Sequence, residues 1–481
     1  MKHSKFKRIK KAVVTLFLTT NLTLVGTGSA VLNTASDSAN LDDQATPSAS
    51  NYRNSTVFSP LPSPQEQLNQ PNTEVNKATR TYKIDPTGGF IEDELIVKFK
   101  NDVSSTIKEF TLSTYKAGIL RENRSKSLLI KVSPSERGLV MASLAKDPNV
   151  EYVQVNQVGK VQEGSVSGGS GSNGCPGPNP DDWWFCHTYL QWGLHTIQAP
   201  AAWLFYKGSS SVKVAVIDSG VDYRHRDLGV SPTGRVIKGP DILDNDNDPI
   251  DEDYYNIGHG TGVAGIMAAK TNNGQDIAAV DWYSQVVAIR VANIFGITWE
   301  GDVADAIFSA LDDYNVDVIN LSLSFPNNNP ELQNAIAVAL NRKVTVVAAV
   351  KSSSVRNCFM EFPAAYYGVI SVAATSNGDG WWSGCTGNNK GNTTWQRLQV
   401  TAPGKEILTL RMNNGVGYSS GTSMATAFVS GVATVLRSCT NPSRILIGII
   451  YGTDDLGSQG WDSTYGYGRL NMYKALDMVC F

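Results

Sequence analysis

Apolar runs rich in β-branched residues recur through the second half of the chain. They cover Val212 to Ile217, Gln285 to Val291, Val316 to Leu323, Val344 to Val350 and Val369 to Ala374. Each is too continuous for a strand with one wet face, so each predicts a strand buried on both sides. Between them, residues 302–314 and 331–341 carry helical spacing. Strand and helix alternating in this way predict an α/β domain over residues 181–481, with a central, mostly parallel sheet covered by helices in three layers. In such sheets the reactive groups gather at the C-terminal ends of strands, where Asp218 lies. A last apolar run, Met424 to Val435, follows Gly421-Thr422-Ser423 and predicts a buried helix with a serine at its N-terminus.

A different pattern precedes this. Residues 94–99, 127–132 and 150–155 read as strands and 136–145 as a helix, which predicts a small α+β domain over 89–161. A Gly/Ser/Asn/Pro-rich linker follows at 162–180. Residues 31–88 are rich in Ser, Asn, Thr, Pro and Gln without apolar periodicity and predict a disordered spacer. Residues 1–30 predict an export signal. They hold a basic stretch from Lys2 to Lys11, an apolar run from Ala12 to Val25, and small residues at Gly28-Ser29-Ala30. A secreted protein without stable membrane association after signal removal is therefore expected.

Composition narrows the partners. The 481-residue chain carries a net charge of −3, and its first thirty residues hold six Lys/Arg and no acid, leaving −9 for the remainder. That balance argues against a nucleic-acid partner. Six cysteines, all after residue 170, suit disulfides in an exported chain. Proximity suggests Cys175–Cys186, Cys358–Cys385 and Cys439–Cys480 among fifteen possible connectivities. No organic cofactor is indicated, and a monomer is the expected state.

Three stretches carry the chemistry. Asp218 ends a buried strand, His259 lies between Gly258 and Gly260 before an apolar helix, and Ser423 opens another helix. A serine becomes nucleophilic when a histidine takes its proton, and that histidine needs an acid to hold its tautomer. A helix N-terminus offers N–H groups and a positive dipole end to an oxyanion forming beside the serine. Singly, each residue has a plain structural reading as a cap or turn. Together they supply acid, base and nucleophile.

These stretches resemble the subtilisin family of serine endopeptidases, and its thermitase-like branch most. The resemblance extends over Gln191-Trp192-Gly193-Leu194, His225-Arg226-Asp227-Leu228, Val318-Ile319-Asn320-Leu321-Ser322-Leu323 and Gly466-Tyr467-Gly468-Arg469-Leu470-Asn471. It implies a subtilisin-like fold in which Asp218 orients, His259 acts as base and then acid, and Ser423 attacks a peptide carbonyl. Ser322, Leu323 and Ser324 would pair with the polypeptide substrate as an added strand. Residues 89–161 resemble the family's propeptide, which implies a chaperone and inhibitor removed by self-cleavage.

The chain departs from the family where an Asn usually donates to the oxyanion. Lys351 falls at that position and Val350 where a Gly is usual. Gly262 replaces a common second histidine. Two functions follow as expectations: a working secreted endopeptidase made as a zymogen, or a weakened scaffold that binds peptides or a partner. The resemblance also implies structural calcium. Asp241, Asp244 and Asp246 match a thermitase-like calcium loop. Asp227 would pair with Asn273 and the carbonyls of Lys270, Gln275 and Ile277, completed by Asp182.

Overall fold

The computed structural model describes residues 90–161, 167–169, 180–182, 184–185, 190–252, 257–355, 358–385 and 397–481. The export signal, the spacer and the Cys175–Cys186 pairing lie outside the described residues.

The first strands form an antiparallel sheet in the order β2-β3-β1-β4, from β1 (Phe90–Phe99), β2 (Gly118–Glu122), β3 (Leu128–Lys131) and β4 (Val150–Val161). Helices α1 (Ser105–Thr114) and α2 (Arg137–Leu144) complete it. Leu95, Val97 and Ile130 meet Leu112, Val140 and Leu144 in one core. The α+β reading holds. Two elements were not anticipated, α1 and β2. Only Thr111 and Leu112 are buried in α1, and β2 has no buried residue, so neither carries a strong apolar period.

The segment expected to be a plain linker contains a strand, β5 (Ser167–Gly169). Its glycines gave no β signal. It exists because a neighbouring edge supplies its hydrogen bonds.

Beyond it, the apolar runs become strands of a ten-stranded sheet. These are β6 (Lys213–Asp218), β7 (Val236–Asp241) and β8 (Gln285–Arg290), then, past a short β9 (Ile297–Trp299), β10 (Val318–Leu321). After β11 (Leu323–Ser324) come β12 (Thr345–Ala349), β13 (Ile370–Thr375), β14 (Trp381–Ser383) and β15 (Val400–Pro403). A hairpin, β16 (Ile407–Arg411) and β17 (Gly415–Ser419), stands apart and takes β5 as its third strand. Strands β18 (Thr453–Asp454) and β19 (Arg469–Leu470) close the edge. The order β7-β8-β6-β10-β12-β13-β15-β19 is parallel throughout, with β14 and β18 antiparallel.

Alternation along each strand feeds two cores. Val214, Val216, Val318 and Val347 face one layer, and Ala215, Ile217, Ile319 and Val346 face the other. Helices α3 (His259–Ala268) and α4 (Glu300–Asp312) cover opposite faces, with α5 (Pro330–Asn341) beside α4 and α6 (Thr422–Cys439) beside α3. Helix α6 is buried from Thr422 to Leu436, which explains its nearly all-round apolar character. The expected bridges Cys358–Cys385 and Cys439–Cys480 are both present.

Candidate active site

Asp218 is the last residue of β6 and fully buried. Its Oδ1 accepts from the Ser219 amide at 2.7 Å and lies 2.6 Å from His259 Nδ1. His259 is the first residue of α3, and the flanking glycines bring it there. Gly258 has φ +74°, and a Cβ on it would meet Met412 Cγ at 2.6 Å. A Cβ on Gly260 would lie 2.0 Å from the Gly220 carbonyl, so only glycine lets α3 touch the end of β6.

A second carboxylate secures this helix end. Asp251 Oδ2 accepts from the amide and hydroxyl of Thr261, at 2.9 and 2.7 Å, and Oδ1 from Ser219 Oγ at 2.9 Å. Ser219 Oγ in turn accepts from the Gly260 amide at 3.0 Å. The acid thus sits at the positive end of α3 and braces the residue beside Asp218. Burial pushes its carboxyl up to about 7, against the pull of the Thr261 bonds and with a push from Asp218. Sequence reasoning missed Asp251, because nothing local separates it from the other acids of that loop.

Ser423 occupies the first turn of α6 and is fully buried. Its Oγ donates to the Ser322 carbonyl at 3.3 Å, and Ser322 Oγ donates to the Ser423 carbonyl at 3.4 Å. Ser322, Leu323 and Ser324 are likewise buried, and of these expected cleft residues Ser322 contacts the nucleophile directly.

Lys351 engages an acid. Its Nζ lies 2.6 Å from Glu361 Oε1, and its side chain is 49% exposed. Glu361 is held from the other side by Ser324 Oγ. Ser352 instead reaches the nucleophile's helix. Its Oγ is 2.9 Å from Thr422 Oγ1 and accepts from the Thr422 amide at 3.3 Å. The reason is strand alternation past the end of β12: Val350 points inward, Lys351 outward, Ser352 inward again. Gly262 also has a local explanation. A Cβ there would meet Thr409 Cγ2 at 3.1 Å, because β16 packs on α3.

The edge expected to take a substrate strand is paired with the chain itself. Val158–Lys160 of β4 pair antiparallel with β9, and Lys160 and Val161 pair with Ser324 and Leu323 of β11. On the other side, β5 pairs with Val416–Tyr418 of β17.

The two expected calcium sets have different surroundings. Asp241 and Asp244 both converge on Arg290 Nη1, at 2.5 and 2.8 Å, while Glu252 takes Nη2 at 3.2 Å. Asp246 is exposed and its Oδ1 accepts from the Asp248 amide. Two of this loop's carboxylates thus pair with a guanidinium, whose planar donors suit carboxylates. Asp182 and Asp227 are fully buried and both lie on the 270–277 loop. Asp182 accepts from the amides of Asn272 and Asn273, and Asp227 from Asn273 Nδ2 and the Ile277 amide. Burial raises both carboxyls to about 7. Two buried carboxylates among loop carbonyls are the oxygen donors a hard cation takes. Among the described residues no three acidic, His or Cys side chains group as a metal site.

Residues 209–468 match the Subtilase family, and residues 76–156 match the Fervidolysin N-terminal prodomain. The chain is 36% identical to the Thermophilic serine proteinase of Bacillus sp. (strain AK1) over 393 residues, 81% of this chain and 88% of that protein. It is 36% identical to Thermitase of Thermoactinomyces vulgaris over 298 residues, 62% of this chain and 99% of that protein. Fervidolysin from Fervidobacterium pennivorans, described as a keratinolytic enzyme related to subtilisin, superposes with a TM-score of 0.63. At 21% identity, over 84% of this chain and 64% of that one, this likeness is one of fold.

Proposed function

Because this chain belongs to the subtilase family of serine proteases, we propose that it is a secreted endopeptidase working through Asp218, His259 and Ser423. The buried 2.6 Å contact between His259 Nδ1 and Asp218 Oδ1, next to a serine opening a helix, carries the reading. Asp218 holds the proton on Nδ1, so Nε2 is the basic nitrogen. Ser423 Oγ bonds to the scissile carbonyl carbon as its proton passes to His259 Nε2. His259 then gives that proton to the departing amine, leaving an ester on Ser423. Water repeats the sequence: its proton goes to Nε2, its oxygen to the acyl carbon, and Ser423 recovers the proton as the acid leaves.

The oxyanion is received by the first-turn amide of Ser423 and by the hydroxyl pair of Ser352 and Thr422. The Ser352 and Thr422 hydroxyls lie 2.9 Å apart at the head of that helix. The scaffold alternative rested on Lys351 and Val350; that Ser352 rather than Lys351 contacts Thr422 at the head of the nucleophile's helix supports the protease reading instead. Substrate pairs with Ser322, Leu323 and Ser324 as an added strand, and the prodomain inhibits by filling that position through β4. Calcium, where bound, is held by Asp182, Asp227, Asn273 and the carbonyls of Lys270, Gln275 and Ile277, and supplies a structural cross-link rather than chemistry.

The test is labelling by a fluorophosphonate and cleavage of unfolded casein, on protein freed of its prodomain. Both are expected, and both should vanish in Ser423→Ala, which should also leave residues 89–161 attached. A folded, prodomain-free protein that neither labels nor cleaves would overturn the reading.

A further inference from the structure

The strand that pairs with β9 and β11 carries a glycine near its C-terminal end, Gly159. Gly159 pairs with Thr298 of β9, one residue before the contact with β11. Glycine weakens a strand interior, so its presence there calls for a reason. Backbone conformation is not that reason, because Gly159 lacks the positive φ that favours glycine. Space is. A Cβ on Gly159 would lie 2.3, 2.5 and 2.8 Å from the Cε1, Cδ1 and Cζ atoms of Phe325. No Cβ makes contacts that short, so the ring itself excludes every side chain.

Phe325 has little freedom to withdraw. It is fully buried and belongs to the core between the sheet and α4 and α5. Its backbone exchanges two hydrogen bonds with Phe362, Phe325 N to Phe362 O at 2.7 Å and the reverse at 3.0 Å. It follows Ser324 directly, so it sits at the end of the edge against which the added strand pairs. A substrate extending β9 and β11 as β4 does must place one residue over this ring.

We propose that Phe325 is a specificity-determining residue, which restricts the position occupied by Gly159 to glycine in any peptide bound along this path. The inference rests on the protease reading above and deepens it. The substrate class is polypeptide with glycine, and no side chain, at that position. Overpacking a well-filled site by one methyl costs about ten- to a hundredfold, and a branched side chain costs more.

The test uses the self-processed enzyme and quenched-fluorescent peptides reproducing residues 155–166. The residue matching Gly159 is kept as Gly or changed to Ala or Leu. Wild type should cleave the Ala peptide at least tenfold less efficiently than the Gly peptide, and the Leu peptide below detection. Phe325→Ala should cleave all three with the penalty removed. Retained cleavage of the Gly peptide shows that this variant is folded, and Phe325→Leu serves where Phe325→Ala does not accumulate. Equal kcat/KM for Gly and Ala peptides in wild type would overturn the proposal, as would an unchanged ranking in the variants. If wild type cleaves no peptide and also neither labels with fluorophosphonate nor cleaves casein, it is the protease reading that fails. The ranking is then read from peptide binding to the same proteins.

Discussion

The register of one residue decides the chemistry around Ser423. Matching the chain to the family pattern placed Lys351 at the oxyanion, yet the inward side chain is Ser352 and the lysine pairs with Glu361. A slip of one position past a strand end exchanges an exposed side chain for a buried one. Losing an oxyanion donor costs about a hundred- to a thousandfold in turnover, a magnitude established within this same enzyme family. Ser352 shares its task with Thr422, so Ser352→Ala should lower kcat by roughly tenfold or more, with KM unchanged. Steady-state kinetics on the processed enzyme check this, with Ser352→Asn expected to preserve turnover. Loss of turnover in Lys351→Ala but not in Ser352→Ala would return the role to the lysine.

At the scale of elements, the N-termini of α4 and α5 form the seat of the prodomain. Arg121 pairs with Asp302 at 2.7 Å and Asp305 at 3.6 Å. Glu331 accepts from Asn123, Ser125 and Ser127. Acids in a first helical turn are favoured by the dipole, so both helices carry them at no local cost. Glu300 is the one most affected by burial, which pushes it up to about 8, although Asn329 and the Gln157 amide of β4 both hydrogen-bond it. The sign follows from linkage. With β4 gone, Glu300 regains water and an ordinary carboxyl, so docking takes up a proton. Through Glu300, prodomain affinity should therefore fall as pH rises towards 8. Asp305, raised to about 7 by burial, acts in the same direction. Release of the cleaved prodomain, followed by gel filtration between pH 5 and 8, should increase with pH, and Glu300→Gln should flatten that dependence. Release that is independent of pH in wild type would contradict the assignment.

For the whole molecule, the paired carboxylates of Asp182 and Asp227 join the start of the catalytic domain to the 270–277 loop. Without a cation their burial is costly, and with calcium it becomes a cross-link. EDTA should lower the melting temperature by about 5 °C, as expected for loss of a ligand bound well above its dissociation constant. An unchanged melting curve would remove calcium from the account. The sequence alone determined the alternating sheet and the small α+β domain, because those signals are local: β-branched runs, helical periods and glycines at turns. It also determined Asp218, His259 and Ser423 as candidates, since each adjoins such a signal at a strand or helix end. Only tertiary structure decided that Ser352 rather than Lys351 contacts Thr422, that Arg290 gathers Asp241 and Asp244, and that Phe325 lies beneath Gly159. Those contacts join residues 46 to 166 positions apart, or turn on which of two neighbours faces inward. Packing of distant segments determines them, and no local pattern in the chain encodes it.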